Sequence, residues 1–325
     1  MFAEAIEDIL KNQCTLAAVR AIEAGGSPAA LWEAVSDAGF LELLAAEADG
    51  GADLPLSELF PILNCLGRYT VPLPLAQTIV ARALLEGQLL VPTGMITLAP
   101  AFRRETNGAI RCPLTPCGML ADFVLASDGD ALVLLPCAAA QRQGTGVTHD
   151  LTATLIWPDD SHAMRAPHGG HSLPAFAAAL HAALLSGAMN RVFDMTLQYC
   201  NDRVQFGKSL GKFQAVQHQL SVMAEHTAAA SIAAEAAFQG DGKVPSLLAS
   251  AIAKSRTSEA AVLVASTAHA LHGAIGVTEE YDLQLLTRRL HGWRMAHGSE
   301  AYWNTLVGQH VLASELSLSD FVRTI

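Results

Sequence analysis

Between His171 and Asn190 the sequence carries no Asp, Glu, Lys or Arg. A charge-free run of that length has two physical homes. It can cross a bilayer, which takes about 20 apolar residues in a helix, or it can form the centre of a helical core. The run is rich in alanine and broken by the polar His181, Ser186 and Asn190, which favours the core. It also opens a longer helical pattern, LPAFAAALHAALLSGAMNRVFDMTLQYCNDRV. Two more follow, FQAVQHQLSVMAEHTAAASIAAEAAFQ and PSLLASAIAKSRTSEAAVLVASTAHALHG. All are apolar on more than one side, as helices in the middle of a bundle must be. Hydrophobic residues make up 51% of the chain and charged residues only 16%, against about 25% charged in an ordinary globular domain. Contacts between subunits are the expected place to hide the excess apolar surface.

The rest of the chain divides by period. Residues 1–92 read as an N-terminal helical domain. An opening helix ends at Gly25-Gly26, and Ser27-Pro28 starts the next. LWEAVSDAGFLELL, LSELFPILNCLGRY and PLPLAQTIVARALL then continue at helical spacing. Residues 93–170 change to short β-rich runs, GMITLAP, ADFVLAS, DALVLLP and TATLIWP, bounded by Gly, Pro and Asp. No helical pattern lies between them, so they predict a small antiparallel β domain rather than parallel βαβ units. No G-x-G-x-x-G follows any of them, which argues against a Rossmann cofactor site. Residues 171–325 hold the C-terminal bundle. The fold expected is mainly α with a small β domain.

Charge narrows the partners. The net charge of −11 and the lack of any dense Lys/Arg block exclude a nucleic-acid footprint and favour small molecules. Six cysteines are scattered without a C-x-x-C pair, so they read as reduced, buried thiols and suggest neither zinc nor a disulfide framework. The histidines show no helical i,i+4 pair with a third ligand, so no metal site is expected. His168 to His171 sits in a Gly-rich connection expected to be solvated. The N-terminus MFAEAIEDIL has three acids and no basic region, which opposes a targeting segment and predicts a cytoplasmic protein.

One cluster stands apart. RVQFGKSLGKFQAVQ, from Arg203 to Gln217, sets a guanidinium, an amide, an aromatic ring and glycines between two long helical patterns. It reads either as an interhelix turn, with Phe206 and Phe213 packed inward and the lysines solvated, or as a site for an anion.

The order helices, β domain, helical bundle resembles the acyl-CoA dehydrogenase family over nearly the whole chain. Arg203 to Lys208 with Phe213-Gln214 matches that family's R-x-x-F-G-K motif. HGAIGVTEEYDLQLLTRR looks like its H-G-G-x-G-x-x-x-E-Y signature, and LWEAVSDAGFLELLAAEADGG like its early helix and Gly-Gly turn. The resemblance implies a C-terminal four-helix bundle and FAD lying across a subunit interface. Arg203, Gln205 and Phe206 would reach the flavin nucleotide, chiefly that of a neighbouring subunit, where a guanidinium offers a fork of donors that keeps its charge. Phe213 and Gln214 would complete that contact on the adenine side. Gly273 would be the retained glycine of the second motif, and Ser299 would join the cofactor-binding set. The reaction implied is α,β-dehydrogenation of an acyl-CoA thioester by a glutamate base and the flavin, with an electron-transfer flavoprotein as possible acceptor.

The sequence departs from that pattern at the base. Counting forward from Glu280-Tyr281, the family's Y-E-G-T falls on Ala296, His297, Gly298 and Ser299. The alternative glutamate positions on the first bundle helix fall on Ala177 and Ala178. Glu279, Glu280 and Glu300 are poorly placed to replace them. A neutral imidazole can accept a proton near pH 7, so His297 is the candidate at the matched place; a structural hydrogen bond is the competing role. Ala270 and Ala274 replace a glutamine and a glycine of the second motif, and LAPAFRRETNG stands where T-E-P-x-A-G-S-D is usual. An arginine kept and a base lost is the pattern expected of one subunit in a heteromeric acyl-CoA dehydrogenase of steroid catabolism, an α2β2 assembly whose homologous partner supplies the glutamate. The alternatives are a self-sufficient homo-oligomeric dehydrogenase (dimer or tetramer) with an unusual base, and a flavin-free scaffold that keeps only the fold.

Overall fold

The computed structural model describes residues 2–166, 172–240 and 242–323; the His168 to His171 connection lies outside them. Five helices build the N-terminal region: α1 (Phe2–Gln13), α2 (Leu16–Glu23), α3 (Ala29–Asp37), α4 (Leu56–Arg68) and α5 (Leu75–Leu85). The single opening helix expected from the sequence is in fact two. Thr15 interrupts it because its hydroxyl accepts from the Ala18 amide at 3.2 Å and caps a new start. Helix α4 keeps its pattern through Pro61, with Leu59, Ile62, Leu63 and Leu66 all buried.

The middle region forms eight strands: β1 (Ile96–Ala99), β2 (Arg103–Arg104), β3 (Ile110–Thr115), β4 (Phe123–Asp128), β5 (Ala131–Pro136), β6 (Gln141–Gly144), β7 (Ala153–Trp157) and β8 (Met164–Ala166). They pair as two four-stranded sheets, ordered β1-β4-β5-β8 and β2-β3-β7-β6. Val124, Ala126, Val133 and Leu135 from one sheet and Ile110, Cys112, Leu155 and Trp157 from the other share one core between them. The expected antiparallel pairing holds with one exception: β1 runs parallel to β4, in register from Ile96 opposite Phe123. Parallel neighbours need a crossover, and here the second sheet supplies it through β2 and β3 rather than a helix. The β3–β7 register shifts between Cys112 and Thr115, and within that bulge Leu114 takes φ +45°.

The C-terminal region contains α6 (Ser172–Asp202), a short hairpin of β9 (Val204–Gln205) and β10 (Lys208–Ser209), then α7 (Gln214–Ala236), α8 (Leu247–His272), α9 (Leu283–Met295), α10 (Glu300–Ala313) and α11 (Leu318–Arg323). Among the described residues two helices are long and apolar enough to cross a membrane. The most apolar window of α6 is 94% buried inside the protein, which is the situation of a core helix. Its burial depends on a close approach to α4. A Cβ on Gly187 would stand 1.8 Å from the Asn64 carbonyl oxygen, and one on Gly67 would stand 2.2 Å from that of Leu184. Glycine on both helices lets the backbones touch. Helix α8 with the turn that follows it is equally apolar, but only 39% of its window is buried. Val262, Ile275 and Val277 remain exposed there, as do Val222 and Ile232 on α7.

Candidate functional site

The Arg203–Phe213 segment is an arm. Residues β9 and β10 pair antiparallel, Gln205 opposite Lys208, around a two-residue turn. Phe206 at φ +51° and Gly207 at φ +80° give the left-handed backbone of a tight hairpin. Glycine adopts that conformation freely, whereas a bulky residue there is strained. The inward packing of Phe206 expected for an ordinary interhelix turn is overturned: its ring is 92% exposed. Phe213 is half-buried, edge-on to Phe206 at 6.3 Å and capped by the Lys208 ammonium at 4.2 Å. Gln205 and Gln214 are exposed. The exposed Arg203 donates its amide to the Tyr199 carbonyl at the end of α6 and accepts from the Leu210 amide beyond the hairpin, and its guanidinium has no partner among the described residues.

The second motif supports the arm from below. Tyr199, one turn before Arg203, stacks on His272 at 4.3 Å and donates its hydroxyl to the His272 carbonyl at 3.2 Å. Tyr281 closes the group 5.2 Å from His272. The two motifs thus meet through aromatic side chains 73 residues apart, a pairing with no local sequence signal. Gly273, at φ +64°, ends α8 with open space where a Cβ would point.

A cavity of about 390 Å³ opens between the β region and α9. Leu114, Pro116, Cys117, Val147 and Leu151 face Trp293, Met295 and Ala296 across it. Its lining includes three non-glycine residues at positive φ: Leu114 (+45°), Cys117 (+54°) and His149 (+65°). Such strain costs about 1–3 kcal/mol per residue and collects at functional sites. At the cavity's polar end lies Glu23, whose side chain is 4% exposed and sits 2.7 Å from both Arg288 and Arg289. That ion pair fastens α2 to α9. Burial pushes the Cys117 thiol up to about 11, so it stays protonated at neutral pH. None of these lining residues was selected from the sequence; the β-bulge that turns Leu114 outward has no short-range signature.

The α9–α10 turn carries the remaining candidates. His297 takes φ +57° and packs edge-on against His181 of α6, ring centroids 4.8 Å apart. The His181 Nδ1 is 2.9 Å from the Ala177 carbonyl; the Nε2 atoms of both rings are enclosed without a partner among the described residues. Burial depresses the His297 pKa well below its ordinary value, with smaller contributions from His181 and the nearby Lys254 charge. His181 falls to about 3 for the same leading reason. A group held that far below neutrality is a weak proton acceptor. Met295 and Ala296 line the cavity, whereas His297 is not part of its wall. Ala177 and Ala178 are fully buried, the latter packed with Ala251 and Trp303. Glu279 and Glu280 are exposed. Burial works to raise the Glu300 pKa, but hydrogen bonds from Arg294 more than offset it and hold the carboxylate ionised. Ser299 sits at the N-cap of α10 without a side-chain capping bond. Among the described residues no group of His, Cys, Asp and Glu could hold a metal ion.

Residues 175–312 match the family model described as acyl-CoA dehydrogenase, C-terminal domain. The chain is 32% identical over 308 residues to acyl-CoA dehydrogenase IpdE2 of Mycolicibacterium smegmatis, covering 90% of this chain and 92% of that protein. IpdE2 of Mycobacterium tuberculosis is 29% identical, with 90% of each chain covered. Among solved structures, the fold is similar to the ChsE4-ChsE5 complex from Mycobacterium tuberculosis, with a TM-score of 0.83, 19% identity and 97% of both chains covered. A variant of the Tcur3481-Tcur3483 steroid ACAD gives 0.81 at 24% identity, over 95% of this chain and 96% of that one.

Proposed function

The chain belongs to the acyl-CoA dehydrogenase family, and from that premise we propose that it is a subunit of an FAD-dependent enzyme that α,β-dehydrogenates a CoA thioester. In this reading it acts with a homologous partner chain that carries the catalytic base. The single observation that carries the proposal is the arm. An unpartnered guanidinium and a 92% exposed phenylalanine stand on a strained hairpin, turned away from their own chain.

The residues present fit a flavin nucleotide held outside the chain. Arg203 would bind a pyrophosphate as a charged fork, Phe206 would cover apolar or ring surface, and Gln205 and Gln214 offer exposed amides. Gly273 leaves open space for a close approach. When bound, the flavin supplies a hydride acceptor for the substrate β-carbon. The α-proton needs a base, and here this chain offers little: His297 is enclosed and strongly depressed, and Glu300 is held by Arg294. The exposed apolar residues of α7 and α8 suit a homologous subunit as neighbour. One of the two similar solved structures is the ChsE4-ChsE5 complex and the other a steroid ACAD, which supports a heteromer acting on a steroid-derived or similarly bulky acyl group.

A second reading, a self-sufficient homo-oligomer, is favoured by the cavity that this chain possesses itself. The two separate cleanly. The chain is purified alone and with its homologous partner, flavin absorbance is recorded, and acyl-CoA is added anaerobically. Flavin reduction is expected only in the co-purified complex. Reduction in the preparation of this chain alone would refute the partner reading.

A further inference from the structure

Among the described residues Lys254 is the one lysine or arginine with no exposed surface, and its ammonium is fully paired. It donates to the Ser258 hydroxyl at 2.9 Å, the Arg294 carbonyl at 2.8 Å and the Gly298 carbonyl at 3.1 Å. An ammonium has three donors, so each finds an acceptor. Burying a charge is costly unless its bonds are met this fully. The acceptors are also informative. Arg294 and Gly298 stand on either side of the turn, and His297, between them, is held at φ +57°.

The outside of the turn is closed by a second contact. The Arg294 guanidinium grips Glu300 with two nitrogens, Nε to Oε2 at 3.0 Å and Nη2 to Oε1. The Ser258 hydroxyl also reaches the Arg294 carbonyl at 3.4 Å. Gly298, at φ +109°, leaves room for the Tyr302 and Trp303 rings, which a Cβ would meet at 2.7 and 3.0 Å. The turn is therefore gripped from the bundle core by Lys254 and from outside by an ion pair, while Met295 and Ala296, inside that bracket, form cavity wall.

We propose that Lys254 is a positioning residue: from α8 it sets the conformation of residues 294–298 and thereby the place of the cavity wall at Met295 and Ala296. The clamp itself is independent of the flavin reading; only its importance for a CoA thioester site rests on that reading.

The test compares Lys254→Met and Lys254→Gln with the unaltered chain, each assembled with its partner. Amide hydrogen exchange is measured by mass spectrometry on peptides covering residues 292–300 and on peptides from α1 to α5. Loss of all donors in Lys254→Met is expected to raise exchange across 292–300 at least tenfold, with α1 to α5 unchanged. Lys254→Gln, with fewer donors left, should fall between. The melting temperature of Lys254→Met should fall, because three acceptors lose their donor, while exchange in α1 to α5 stays unchanged; loosening confined to 292–300 is what a merely space-filling lysine would not produce. Unchanged exchange at 292–300, or a rise shared equally by all peptides, would overturn the proposal. If Lys254→Met does not fold, Ser258→Ala, which removes one acceptor and one bond to the Arg294 carbonyl, is expected to raise exchange in the same peptides, and its failure to do so counts equally against the clamp. Flavin content read in the same samples keeps the two ideas apart: loosened peptides with flavin absent throughout support the clamp and weigh against the cofactor reading.

Discussion

At the hairpin arm, the side chains of Arg203 and Phe206 stand exposed, Phe206 touching only the Phe213 ring edge-on. At the α9–α10 turn, His297 is pressed against His181 and Lys254 has every donor engaged. Both places hold a non-glycine residue at positive φ. Strain that is exposed and unpartnered is kept for contact with another molecule; strain that is buried and bracketed shapes the chain itself. The recognition role proposed for the arm and the architectural role proposed for the turn make a testable contrast, and substitutions should divide along that line.

The largest effect belongs to the turn. Trp303 is 1% exposed and packs beneath Gly298 with Ala178 and Ala251. Trp303→Ala should lower unfolding free energy by about 3–5 kcal/mol, the cost of emptying a large aromatic site, measurable by urea denaturation. A loss below about 1 kcal/mol would mean that the turn is not anchored through this side chain.

Acid and base act on the same region next. His181 holds its proton only below about 3 in the folded chain, against an ordinary value of 6.5. Between those values the unfolded chain binds more protons, so stability should fall as pH drops from 6.5 towards 3. Lys254 is lowered to about 7 from 10.5, by burial first, with Glu300 opposing and Arg294 adding. Between those values the unfolded chain again holds the extra proton, so Lys254 should raise stability from pH 7 towards 9; above 9 the buried thiols, which burial lifts to about 11 or 12, keep protons that the unfolded chain loses and reverse the trend. Denaturation midpoints across both windows check this. His181→Leu should make the acid limb shallower, with the buried His297 keeping its own share, and Lys254→Met should remove the rise that begins at pH 7. The arm, from Arg203 to Phe213, has no histidine or carboxylate, and Phe206→Ala should leave both limbs intact.

How much of this the sequence revealed follows from the range of the forces. The helices, the β region and the buried α6 were legible because period and charge depletion are local. The arm was legible as a motif, but its outward aim was not: Phe206 is apolar, and only the hairpin's left-handed turn exposes it. Lys254 was missed because a single lysine in SAIAKSRT looks like an ordinary solvated residue. Its acceptors at Arg294 and Gly298 lie 40 and 44 residues away. The parallel β1–β4 pair was missed for the same reason, since its crossover runs through the other sheet.

A smaller effect on stability, and a specific one on binding, is expected at the arm. Arg203→Ala should change unfolding free energy by less than about 0.5 kcal/mol, as for surface sites generally. It should weaken flavin retention in the assembled complex by roughly tenfold or more, the worth of about 1.5–3 kcal/mol for a charged hydrogen bond. Flavin absorbance after gel filtration reads this directly. Retention equal to that of the unaltered complex would return the arm to an ordinary turn and dissolve the contrast.

The smallest effect on function should come from His297→Gly, and it tests the comparison most sharply. Glycine adopts φ +57° without strain, which returns about 1 kcal/mol or more. It also gives up the ring contact with His181 at 4.8 Å and adds backbone freedom worth about 0.5–1 kcal/mol in the unfolded chain. These terms oppose each other, so net stability should move by less than about 1 kcal/mol. Turnover of the complex should fall less than about threefold, because an enclosed imidazole with no accessible Nε2 transfers no proton to substrate. A general base contributes about 10²–10⁴-fold. A loss of that size, with flavin content and exchange at 292–300 unchanged, would make His297 the base and move the chemistry from the partner into this chain's own turn.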